Sequence, residues 1–174
     1  MKATATNEQQ LQGWFAGRLP DGWFTAAPTV RVDNDEVLVV GTLPDVDLPA
    51  DADADTRATA RHSRIEGFRE ETRERRMRIA DDAEAKFGRK VSWGAECGDT
   101  RILFTTASVP VMTRLRMDDR AVLDTLVASG VARSRSHALA WCVRLVGQHQ
   151  GEWIDELREA LTAVDEARAK GPRA

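Results

Sequence analysis

VPVMTRLRMDDRAVLDTLVASGVARSRSHALAWCVRLV, residues 109–146, is the stretch on which the reading of this chain turns. From Thr113 to Met117 it runs Thr, Arg, Leu, Arg, Met. A strand sends alternate side chains to opposite faces. Leu115 and Met117 then share one face, and Arg114 and Arg116 the other. Asp118 and Asp119 open a helix, their carboxylates near its positive end, and Gly130 closes it. Val122, Leu123, Leu126 and Val127 form its apolar stripe. Ser134 is placed to cap a second helix, whose broad apolar face holds Ala138, Leu139, Trp141, Cys142, Leu145 and Val146. A unit of roughly 40 residues rarely buries such faces alone. A second copy supplies what is missing. Two strands pair into a ribbon, the helices interlock beneath it, and the arginine face stays outside, where it fits a DNA major groove.

This order of elements resembles the ribbon-helix-helix family, the MetJ/Arc superfamily of bacterial DNA-binding proteins. The resemblance covers residues 109–146 and rests on three features. They are the alternating strand ending in Met117-Asp118-Asp119, the helix ending in Gly130, and Ser134-Arg135-Ser136 ahead of Ala138-Leu139. It implies that Met112, Arg114 and Arg116 read bases, Arg offering two hydrogen bonds to guanine. It also implies that the amides of Ser134, Arg135 and Ser136 anchor a phosphate at the helix N-terminus. His137 stands where many members carry Glu, so a Ser-x-x-Glu capping box is expected to be lost. Residues 151–169 form a further amphipathic helix, striped by Trp153, Ile154, Leu157, Leu161 and Val164, and an added dimer contact is its expected role.

Upstream, residues 7–18 read as a short helix with Leu11, Trp14 and Phe15 inward. Residues 29–43 read as a hairpin turning at Asp33-Asn34-Asp35. Residues 44–60 read as an acidic, mobile linker. Its DADAD run starts like a calcium loop, but Thr56 and His62 stand where that loop needs Gly and Glu, so no metal is expected. Residues 61–87 read as one long helix burying Ile65, Phe68, Thr72, Ile79, Ala83 and Phe87. Arg69, Arg73 and Arg76 share a face of it and make an auxiliary basic surface. The bland reading of that face is a solvated one, neutralised by the i,i+4 pairs Glu71–Arg75, Glu74–Arg78 and Asp82–Lys86. Residues 90–95 and 101–106 read as a second hairpin, turning through Glu96-Cys97-Gly98-Asp99, where Cys97 could act as a sensor thiol while Cys142 is core.

The expected fold class is therefore α+β. An N-terminal α-β-β-α-β-β two-layer domain, residues 1–108, precedes a ribbon-helix-helix module, residues 109–150, and a C-terminal helix, residues 151–174. The formal net charge of -3 argues weakly against nucleic acid, but its distribution does not. Residues 31–60 carry -6, whereas residues 61–90 and 109–150 each carry +3. Arg outnumbers Lys 21 to 4, the mark of a GC-rich bacterial coding sequence. No run of about 18 apolar residues and no signal peptide is visible, so a cytoplasmic, nucleoid-associated protein without membrane contact is expected.

Nothing in the chain resembles a nucleotide loop, a nucleophile elbow or a zinc cluster, and no cofactor and no enzyme activity are expected. The leading expectation is a homodimeric, sequence-specific transcriptional regulator, a repressor, binding double-stranded DNA. Residues 1–108 would then take a small-molecule or protein effector. Two alternatives stay open. One is an antitoxin that represses its own promoter, although such proteins usually carry the DNA module first. The other is an interaction dimer whose ribbon reads nothing.

Overall fold

A computed structural model of the chain describes residues 4–170, with side-chain detail from residue 9 onward except at 165 and 169. The chain divides into two compact units, residues 1–110 and 111–174.

In the first unit α1 (Thr4–Arg18) is followed by the hairpin β1 (Thr29–Val32) and β2 (Glu36–Thr42). Asp33 makes the turn. Its Oδ1 accepts from the amides of Asp35 and Glu36 at 2.8 and 2.7 Å, an Asx turn that fixes the register. Two helices, α2 (Ala54–Glu71) and α3 (Arg73–Phe87), then lead to β3 (Lys90–Cys97) and β4 (Thr100–Leu103). The sheet order is β1-β2-β3-β4, with both hairpins antiparallel and β2 parallel to β3 at its centre. Register puts Val30, Val39 and Trp93 in one row and Val37 and Val91 in the next. The three helices pack on that face, closing a core of Leu11, Phe15, Val39, Ile65, Ile79 and Ala95. Phe15 meets Trp93 edge-to-face, and Trp14 meets Phe87 in the same way. The unit is thus mixed α+β, helices on one face of a four-stranded sheet.

Several expectations for this unit need correction. The helix read over 61–87 begins earlier, at Ala54, because Asp53 caps it by accepting from the Thr56 amide at 2.7 Å. It is also two helices. At Thr72 the hydroxyl donates to the Phe68 carbonyl at 2.5 Å, a back-bond that interrupts the helix and gives the order α-β-β-α-α-β-β. Finally, residues 44–60 are held rather than loose. Arg57 donates to the carbonyls of Pro49, Ala50 and Ala52. Arg61 grips Asp45 with two nitrogens, at 2.9 and 2.7 Å, and Asp99 with a third at 2.7 Å. That network holds the Asp45 carboxyl well below the usual carboxylate range, the Arg61 hydrogen bond contributing most. Of the DADAD aspartates Asp53 therefore caps the helix and Asp55 lies in its first turn, and among the described residues no cluster of metal-binding side chains exists.

The second hairpin turns more tightly than expected. Strand β3 continues through Cys97, and Gly98 and Asp99 alone make the turn, Gly98 at φ 57°. A Cβ at Gly98 would meet the Arg61 guanidinium, so the turn needs glycine both for its backbone and for its neighbour. Cys97 is consequently a fully buried strand residue, its thiol pushed up in pKa first by burial and then by Asp45. That burial speaks against a sensor thiol at Cys97, while Cys142 is half-buried and packs against the core of the second unit, as expected.

The second unit holds α4 (Met117–Ala128), α5 (Arg135–His149) and α6 (Gly151–Ala169). Its own core is small: Leu123, Ala132 and Ala138, with Leu115, Leu126, Val127, Leu139 and Cys142 half-buried around them. No helix among the described residues is long and apolar enough to cross a membrane.

Candidate nucleic-acid interface

Among the described residues the segment ahead of α4 has no strand partner, and residues 105–116 carry no regular secondary structure. The expected strand from Thr113 to Met117 is therefore corrected to an extended approach. Arg116 sits in extended backbone at the N-cap, and Met117 is already the first residue of the helix. Met112, Arg114 and Arg116 are all exposed, Met112 at 97%. Leu115 alone of this segment turns inward, against the α4–α5 core. Met117, expected beside Leu115, is 74% exposed. The Asp119 carboxylate, in the first turn of α4, accepts from the Arg116 amide at 3.4 Å.

Helix α4 ends where expected. Gly130 takes φ 79°, its amide donates to the Val127 carbonyl at 3.1 Å, and the Ala132 amide donates to Leu126 at 3.0 Å. Ser134 caps α5 by accepting from the His137 amide at 3.2 Å. His137 compensates for the missing Glu, since its Nδ1 accepts from the Arg133 amide at 3.3 Å. The exchange expected to be lost is thus kept in altered form, one residue further out. Arg135 is committed sideways. Its guanidinium grips Asp124 of α4 with two bonds, at 2.6 and 2.7 Å, clamping the helices together and lowering the Asp124 pKa. Only the Arg135 amide, not its side chain, then remains for an anion at this end. With the amides of Ser134 and Ser136 it forms the first turn of α5, where a helix leaves N–H groups without intrahelical acceptors.

Much of this unit's apolar surface is uncovered. Val122, Val143 and Val146 on α4 and α5 are 56%, 66% and 50% exposed, and on α6 Trp153, Leu157, Leu161 and Val164 are exposed as well. The stripe read on α6 is present, but only Ile154 is half-buried.

Of the auxiliary basic face, in the first unit, Arg69 and Arg73 are exposed as a solvated face requires, but Arg76 is not. Arg76 is buried among its neighbours. Its Nε donates to Thr72 Oγ1 at 3.0 Å and an Nη to the Arg69 carbonyl at 2.7 Å, and its guanidinium lies 4.8 Å from the centre of the Phe104 ring. Arg69 lies over the same ring at 5.9 Å, while Arg73 is exposed. Asp82, expected to pair with Lys86, instead meets Arg18 of α1. The helical period already placed position 76 on the inward face with Thr72, Ile79 and Ala83; its charge argued the other way.

Fold and surface together define a mixed α+β protein of two compact units. The first matches the Rv1265-like protein N-terminal domain over residues 9–103, and the second matches the Mb1296 C-terminal domain over residues 116–168. The chain belongs to the Rv1265-like family. It is 58% identical, over 159 residues, to uncharacterized protein Mb1296 of Mycobacterium bovis and to uncharacterized protein Rv1265 of Mycobacterium tuberculosis. Each alignment covers 91% of this chain and 69% of the relative. No solved structure matches the chain significantly.

Proposed function

We propose that this protein is a homodimeric, sequence-specific DNA-binding regulator of transcription, a repressor, whose second unit is a ribbon-helix-helix module. The observation that carries the reading is a juxtaposition. An exposed extended segment bearing Met112, Arg114 and Arg116 runs directly into two clamped helices whose apolar faces are half uncovered. A second copy provides the partner strand for that segment and covers Val122, Val143 and Val146. The α6 stripe extends the same contact. The paired arginines then enter the major groove, and the α5 N-terminus holds a backbone phosphate. The first unit carries the effector function.

Gel shifts on fragments of the source genome test this, comparing the wild type with Arg114→Ala/Arg116→Ala. Both side chains are exposed, so the fold is expected to survive. Specific binding should fall at least about tenfold, a bidentate base contact contributing about 1–3 kcal/mol. Equal binding by the two proteins removes the base-reading role. The slope of binding against salt concentration then counts the phosphates engaged.

A further inference from the structure

We propose that the first unit binds a small amphipathic anion, a carboxylate or phosphate on a flat apolar body, in the cavity between the α2–α3 break and β3–β4. The cavity is about 610 Å³, within the usual range for small-molecule sites. Its lining includes the cationic side chains of Arg69, Arg73 and Arg76. It also includes the apolar ones of Met77, Ala80 and Val91.

Three features of the lining call for a negative group. First, two guanidiniums, Arg69 and Arg76, lie over the Phe104 ring with Arg73 lining the same cavity, and among the described residues no carboxylate pairs with any of the three. A buried cation ordinarily has a partner. Arg76 has only carbonyl, hydroxyl and ring contacts, and burial together with Arg69 and Arg73 pushes its pKa down to about 10. Second, Trp93 lines the cavity at 4% exposure, and its Nε1 is buried without a hydrogen-bond partner. Such a donor costs stability until an acceptor reaches it. Third, the Thr72 break in the helix places Arg69 and Arg76 on either side of the same opening, Arg76 holding the Arg69 carbonyl.

Two carboxylates, Glu66 and Glu70, also line the cavity, and Glu66 is paired with His62 at 3.3 Å. The charged lining is therefore net cationic, and its one buried charge is the Arg76 guanidinium. A concave site with a buried guanidinium suits a small molecule rather than a duplex backbone. Met77, 53% exposed, and the half-buried Val91 supply a surface for the apolar body. Binding there is independent of the DNA-binding reading; only its role as the effector of that reading rests on it.

The test is calorimetric titration of the full chain, without DNA, with four probes: phenyl phosphate, phenylacetate, inorganic phosphate and benzyl alcohol. Phenyl phosphate or phenylacetate should saturate one site per chain, and the stronger of the two identifies the head group. Inorganic phosphate and benzyl alcohol, each lacking half of the recognition, should bind at least about tenfold more weakly, the scale of one lost charged hydrogen bond. Arg69→Gln/Arg73→Gln, at exposed positions, should weaken the bound probe by a similar factor with an unchanged circular dichroism spectrum. Trp93→Phe, which keeps the ring and removes the N–H, should weaken it several-fold. Three results would overturn the proposal. They are no saturable binding by either aromatic anion, equal affinity for inorganic phosphate, or undiminished binding by the double Arg variant.

Discussion

Replacing Leu157 and Leu161 on α6 with glutamine tests the dimer that the functional reading requires. Leu157 is 45% exposed and Leu161 58% exposed within one chain, so about half of each side chain awaits cover. Fully burying a leucine contributes about 1.5–3 kcal/mol, so half contributes roughly 1 kcal/mol. Two positions in each of two protomers give about 4 kcal/mol, close to three decades in the dimer dissociation constant. Glutamine forms helices nearly as well as leucine, so α6 itself should persist. Sedimentation equilibrium over a range of protein concentrations reads the constant directly, and circular dichroism reads the helix. Glu156→Gln and Glu159→Gln on the same helix serve as controls and should leave the constant unchanged. A wild type that stays monomeric at tens of micromolar would refute the reasoning. So would a double variant with the wild-type constant, because the α6 stripe would then face nothing.

Other outcomes follow from the first unit. A methyl group at Gly41 would lie closer than 3.0 Å to three carbons of the Phe24 ring, so Gly41→Ala should destabilise the unit by about 1–3 kcal/mol. Adding Phe24→Leu should recover part of that loss, a coupling that chemical denaturation measures. Stability should also decline in acid. Asp45, Asp33 and Asp53 all titrate below their ordinary value of 3.8 when folded. Their contribution is complete above that value and is lost as pH falls through the folded ones, because the unfolded chain takes up protons first. Asp45→Asn should flatten the decline below about pH 4 in a denaturation series. Thiol titration should find Cys142 reacting in the native protein and Cys97 only on unfolding, since Cys97 is fully buried.

What the sequence disclosed was local. The Asp33 turn, the inward positions Ile65, Phe68, Ile79 and Ala83, and the Gly130 stop all follow from spacing within a few residues. What it concealed was decided at a distance. The parallel pairing of β2 with β3 leaves no mark on either strand, because both hairpins read the same whichever edge joins the other. The acidic run 44–60 looked mobile because its partners, Arg57 and Arg61, lie in the next element. For the candidate sites, Met112, Arg114 and Arg116 are exposed on an extended segment. Arg135 was expected to act through its amide; its side chain goes to Asp124, eleven residues earlier, a pairing not foreseen. Arg76 was misjudged because charge suggested water, whereas the Phe104 ring, the Thr72 hydroxyl and the Arg69 carbonyl hold it inside.

The parallel seam between β2 and β3 also governs the order in which the first unit can assemble. It joins Val39 to Trp93, positions 54 apart in the chain, whereas each hairpin closes over a few residues. Closing that span costs chain entropy that only the docked helices repay, so the seam should form last. During synthesis β2 would then wait with an open edge, Val37 and Val39 uncovered, until residues 90–97 leave the ribosome. The break at Thr72 lies midway along the wait, and it lets α2 settle before α3 exists.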